Sequence, residues 1–143
     1  MPAYKKLLVV LDLSLDSEQV AVAARDLAAY SKAGIIALHV VEFVPVEPMG
    51  ESLMPTVQIE EDLIRRSREK MRELADRLGL TGADLRVEAG NIKAEILRIA
   101  ADEAVDLIVV GSHERHGLAI LVNFTEDAVL HAARCDVLAV RLR

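Results

Sequence analysis

Tryptophan is absent from this sequence, and two phenylalanines and two tyrosines supply all of the 3% aromatic content of its 143 residues. A core must therefore be assembled from aliphatic side chains, which suits the 52% hydrophobic composition and the Val, Leu, Ile and Ala that α/β domains commonly use. The single cysteine, Cys135, excludes an internal disulfide. No apolar run approaches the roughly 18 residues of a membrane span. Met1 to Lys6 leads straight into a strand pattern without a signal-peptide cleavage site, so the expected compartment is the cytoplasm. A basic excess is also lacking. Seventeen Lys and Arg against 23 Asp and Glu leave a net charge of −6, which argues against nucleic acid or an acidic membrane as the main partner. A chain of this length is expected to form one domain over residues 1–143, burying roughly 68–70% of its unfolded surface.

What is present is an alternation of apolar runs and helical periods. Leu7 to Leu11 reads as a buried strand ended by Asp12. Asp16 and Gln19 have capping-box spacing, and Val20, Ala23, Ala24, Leu27, Ala28 and Ser31 form a narrow helical stripe stopped near Gly34. Ile35 to Val44 is a second strand, and the proline-rich stretch from Pro45 to Pro55 reads as a surface loop. A long helix is predicted over Val57 to Leu78, with a charged outer face that includes Arg65, Arg66, Arg68 and Lys70 among acidic neighbours. Gly79 closes it. Ala83 to Ala89 reads as a strand near a sheet edge, and Ile92 to Ala104 as a helix with Ile92, Ile96, Ile99, Ala100 and Ala104 inward.

Chemistry is concentrated between Asp106 and Glu126. Asp106 to Val110 is a strand covered on both faces, Gly111 supplies a turn, and a helical period runs from about Leu118 through Leu121, Val122, Ala128, Val129 and Ala132. Strand, glycine turn and helix start together make a candidate phosphate site, because the first helical amides lack internal partners. The last apolar run, around Val137 to Leu142, is a fifth strand. Right-handed crossovers turn this β-α order into an α/β fold, an open parallel sheet with helices on both faces.

Tyr4 to Ser14, Leu38-His39-Val40-Val41, Asp106 to His113 and Cys135 to Val140 together resemble the universal stress proteins of the UspA family over nearly the whole length. The resemblance implies an open five-stranded parallel sheet of order 3-2-1-4-5, of the adenine nucleotide alpha hydrolase type. It also implies a crevice between strands 1 and 4. In nucleotide-binding members, the residues matching Asp12 and Val40 meet adenosine, and those matching Gly111 and Thr125 meet phosphates; Ser112 lines the same crevice. The Gly-x2-Gly-x9-Gly-[Ser/Thr] motif of those members falls here on Gly111, Glu114, Phe124 and Thr125, so two of its three glycines are replaced. Glu114 sets a carboxylate where polyphosphate would lie, and Phe124 an aromatic ring where backbone must approach. The chain thus resembles the UspA-type branch with a degenerate ATP motif, for which no cofactor is expected, ATP or AMP being the alternative.

Other polar groups have plainer readings. Asp12 can order the turn after it instead of meeting a ligand. His113, Glu114 and His116 have zinc-ligand chemistry, but solvated loop polarity explains them, and His131 is too far along the next helix to be assumed close; no metal is expected. His39 reads as a core or crevice-edge histidine, and Cys135 as a packed or surface thiol. No Ser-His-Asp or paired-carboxylate pattern is readable. The strand Asp136 to Leu142 reads as an apolar sheet edge, and the resemblance implies a homodimer through it. The leading expectation is a non-catalytic dimer acting through protein partners. The alternatives are an adenine-nucleotide switch or slow ATPase using Asp12 and Gly111, and a metal-binding protein using the His113–His116 loop.

Overall fold

A computed structural model describes residues 3–42, 54–112 and 125–142. Its elements are β1 (Lys6–Val10), α1 (Ser17–Ser31), β2 (Gly34–Val41), α2 (Met54–Leu78), β3 (Asp84–Ala89), α3 (Ile92–Asp102), β4 (Leu107–Ser112), α4 (Thr125–Ala132) and β5 (Asp136–Arg141). The strands form one sheet in the order β3-β2-β1-β4-β5, and every neighbouring pair is parallel. This is the predicted α/β architecture. Because side chains alternate across a strand, Leu7 and Val9 enter one core while Leu8 enters the other. The first core joins the sheet to α1 and α2 through Val20, Ala24, Met71 and Leu74; the second joins it to α3 and α4 through Ile96, Ile99 and Val129. The central strands β1 and β4 therefore need apolar residues on both faces, which explains their unbroken runs.

Helix ends depart from the sequence expectations in instructive ways. The Asp16 side chain makes no capping hydrogen bond; three i to i+3 backbone bonds, from Ser17, Glu18 and Gln19 to Ser14, Leu15 and Asp16, wind the chain into α1 instead. Its buried stripe includes Ser17 and Ala21, with Ala23 and Leu27 only half-buried. The helix stops at Lys32, not Gly34: Lys32 takes the left-handed conformation at φ 57°, and Ala33 N–H donates back to the Ala28 carbonyl. Helix α2 starts at Met54, three residues before the expected Val57, with Pro55 in the first turn where a missing N–H costs nothing. Residues 45–53 of the stretch read as a loop, and residues 43–44 at the end of the expected second strand, lie outside the described residues, while Met54 and Pro55, also read as loop, belong to α2. At the other end of α2, Gly79 has φ 71° and the Arg25 guanidinium donates to the Leu78 carbonyl at 2.8 Å.

Helix α3 is capped twice, by Asn91 Oδ1 accepting from Ala94 N–H at 2.9 Å and by Glu42 Oε2 accepting from Ile92 N–H at 3.1 Å. It ends at Asp102, so Ala104 lies beyond it, exposed and at φ 53°, and does not face the core as expected. The segment 118–124 of the expected fourth helix lies outside the described residues. The amino-terminal edge of the sheet is held by side chains: Asp106 accepts from the N–H groups of Lys5 and Lys6 at 2.8 and 3.0 Å, and Tyr4 donates to Asp136 at 2.7 Å. The bond to Asp136 holds the Tyr4 phenol above its ordinary pKa.

Candidate functional site

The site arises because β1 is shorter than its neighbours. Its ladder with β2 ends at the pair Val10 and Leu38, followed by one bond from Leu11 N–H to the Leu38 carbonyl at 2.8 Å; its ladder with β4 ends at Val9 and Val109. Beyond that point β2 continues against β3 to Val41, and β4 continues against β5 to Ser112. A notch one strand wide is left at the carboxyl end of the sheet, between residues 39–41 and 110–112. Sequence order reverses across it, and ligands of open α/β sheets bind at such a point. Val40 flanks it from β2, Gly111 and Ser112 flank it from β4, and Asp12 follows β1 at the same end of the sheet. Val40 packs in the core of α3 and α4, whereas a side chain at Gly111 would meet Val20 and Leu142 on the α1 side. Thr125 opens α4, but its side chain lies outside the described residues, as do His113, Glu114, His116 and Phe124.

Asp12 is turned onto its own loop. Its Oδ1 accepts from Ser14 N–H at 2.9 Å, from the Ser14 hydroxyl at 2.6 Å and from the Ser17 hydroxyl at 2.5 Å. Charged acceptors of this kind bind hydroxyls and amides about twice as strongly as neutral ones. Between Asp12 and Ser14, Leu13 sits at φ 63°, a conformation that costs a non-glycine residue on the order of 1 kcal/mol and that the three bonds hold in place. Ser17 is the buried polar member of the helix stripe, and its bond to Asp12 accounts for its burial. The turn-ordering role of Asp12 was readable in the sequence; its bond to Ser17 was not, because a link spanning five residues follows no local motif.

His39 reaches the same place from β2. It is half-buried, and Nδ1 lies 2.7 Å from the Leu11 carbonyl oxygen. A carbonyl only accepts, so Nδ1 carries the proton, and the imidazole secures the point at which β1 leaves the sheet. It is engaged with backbone, not with a serine. The hydroxyls of Ser14 and Ser17 donate to Asp12, so no nucleophile–base pair is formed among these groups.

Gly111 has a packing reason to be glycine. A Cβ built there would lie 3.0 Å from Leu142 Cδ1 and 3.1 Å from Val20 Cγ2, tighter than ordinary contact. Gly111→Ala should therefore cost about 1–2 kcal/mol of stability by overpacking. Urea unfolding checks this, and an unchanged midpoint would mean that Val20 and Leu142 yield freely. No cluster of three potential metal ligands occurs among the described residues. Burial, with Asp136 and Asp106 nearby, pushes the half-buried Cys135 thiol above its ordinary pKa, the opposite of nucleophile activation.

The family model for the universal stress protein family matches residues 3–141. The chain belongs to the universal stress protein family. Among the relatives of this family member are two proteins of Coxiella burnetii (strain RSA 493 / Nine Mile phase I). Universal stress protein A homolog 2 is 38% identical, with 100% of this chain and 99% of that protein covered, and homolog 1 is 35% identical, with 98% of each covered. Universal stress protein UspA from Lactobacillus plantarum is structurally similar at a TM-score of 0.77 and 26% identity, over 96% of this chain and 98% of that one. A universal stress protein solved in complex with cAMP shares the fold at a TM-score of 0.67 and 23% identity, over 97% and 98% of the two chains. Among the described residues no helix is long and apolar enough to cross a membrane.

Proposed function

We propose that this universal stress protein is a non-catalytic, cytoplasmic homodimer that acts through protein partners and does not hold ATP tightly. The observation that carries the reading is the commitment of Asp12, the acidic group at the notch, to three bonds within its own turn. A ligand hydroxyl approaching Oδ1 would have to compete with Ser14 and Ser17. On the β4 side, one flank of Gly111 is packed against Val20 and Leu142. The residues present thus fit a phosphate cradle poorly, and the replacement of two motif glycines by Glu114 and Phe124 points the same way.

A second reading keeps the notch as an adenine-nucleotide sensor or slow ATPase, with Asp12 and Val40 at adenosine, Gly111 and Thr125 at phosphate, and Ser112 lining the crevice. The family member solved with cAMP favours it. Calorimetric titration of nucleotide-free protein with ATP and AMP, magnesium present, separates the two. The natural chain should give no heat of binding, and Glu114→Gly combined with Phe124→Gly should gain it. Micromolar binding by the natural chain would overturn the partner reading in favour of the sensor.

A further inference from the structure

We propose that the outer edge of β3, beneath the flank of α2, receives an extended acidic segment of a partner protein as an additional strand. This deepens the partner reading above by naming a surface and the chemistry that fits it. β3 ends the sheet order, and among the described residues no strand pairs with its outer side. Its free backbone groups are the template that strand addition uses. Two glycines with positive φ, Gly82 and Gly90, bracket the strand, and no proline or bulge interrupts it.

The side chains above this edge select the guest. Leu85 and Val87 point towards α2, and with Arg68, Met71 and Arg72 they line a cleft of about 140 Å³. Leu85 remains 37% exposed, a large apolar side chain at the sheet edge. Arg68 and Arg72 are exposed and, among the described residues, take part in no ion pair, as is also true of Arg66, Arg134 and Arg141; what sets Arg68 and Arg72 apart is that both line the cleft beside Leu85 and Val87. Residues four apart on a helix are separated by about 6 Å. Alternate residues of a strand, which share a face, are separated by about 6.6 Å. Two acidic residues at positions i and i+2 of an added strand therefore match the two guanidiniums, and their methylene stems cover Leu85 and Val87. A second copy of this chain fits less well, because a two-fold pairing of β3 edges brings the arginines of both copies together.

The probe is a fluorescently labelled peptide of about eight residues alternating Glu and Thr, long enough to span a strand of ordinary length. Anisotropy titration of the full chain should show saturable binding that weakens with salt, at least tenfold tighter than that of the Lys-Thr counterpart. Arg68→Glu combined with Arg72→Glu should lose at least tenfold and reverse that preference, while Arg134→Glu, of similar exposure on another face, should leave binding unchanged. Backbone pairing has its own signature. Of two peptides N-methylated at alternate amides, the phase that faces β3 should fail to bind and the other should bind. No binding of the acidic peptide, indifference to the arginine substitutions, or an equal effect of the two methylation phases would overturn the proposal. Nucleotide titration of the same samples keeps the two levels apart. A peptide failure with silent nucleotide removes this surface, whereas micromolar nucleotide binding removes the partner reading and leaves the peptide result standing.

Discussion

Ile99→Ala should lower the unfolding free energy by about 3–4 kcal/mol and Met71→Ala by about 2–3 kcal/mol. Both side chains are essentially inaccessible, Ile99 at 0% and Met71 at 1% exposure. Ile99 projects from α3 into the core formed with Leu8, Ile36, Ile96 and Ile108, and Met71 from α2 into the core formed with Leu7, Val9, Leu74 and Val109. The smaller figure for methionine reflects its flexible chain, which neighbours replace more readily. The sheet lies between the two sites, so they share no partner and their costs should add within about 0.5 kcal/mol. A combined loss of about 5–7 kcal/mol is comparable with the whole stability of an ordinary domain, about 5–15 kcal/mol. Urea unfolding should show the single variants folded with lower midpoints and the double variant largely unfolded in buffer. A double variant that costs no more than Ile99→Ala alone would show that the two layers do not form independent cores.

The same two-sided burial made the sheet readable in advance. Leu7 to Leu11 and Leu107 to Val110 have no polar residue because both faces of β1 and β4 are covered, and their length and flanking turn residues favour strands over buried helix segments. Strand order came from resemblance and not from the runs themselves, since parallel neighbours are joined through helices and leave no turn signature. What escaped local reading depends on distant partners. Lys32 takes a left-handed conformation that sequence habit assigns to Gly34, and Asp16 has the spacing of a cap without acting as one because the Asp12–Ser17 bond already fixes the entry to α1. At the site, Asp12 and Gly111 were legible as positions. The turn-ordering role of Asp12 was legible too, and its bond from Ser14 N–H is that role; its reach to Ser17, and the space at Gly111 claimed by Val20 and by Leu142, which follows it by a whole helix and a strand, were not. His39 stood out as a histidine in an apolar run, but the Leu11 carbonyl it serves belongs to a neighbouring strand.

The opposite edge of the sheet should carry the dimer, and its disruption is the largest association effect expected. Among the described residues β5 pairs with β4 alone and ends the sheet order at that side. Val140 and Leu142 pack against the α1 side of the core, but Leu138, on the same face, is 38% exposed, and Ala139 is exposed on the other. An edge of this kind is stabilised when an equivalent strand covers it, and two-fold symmetry makes such a pairing antiparallel and self-complementary. Lysine at an edge is the usual means by which proteins prevent that pairing. Leu138→Lys with Ala139→Lys alters two exposed positions, so each subunit should keep its fold while the dimer weakens at least a hundredfold. Sedimentation of the natural chain at micromolar concentration should give the dimer mass, and that of the double variant the monomer mass with an unchanged circular dichroism spectrum. A natural chain that sediments only as monomer would remove the dimer. A double variant that stays dimeric would move the interface away from β5, and since β3 is the other edge of the sheet, unpaired on its outer side among the described residues, the peptide titration would then show whether the copies meet there.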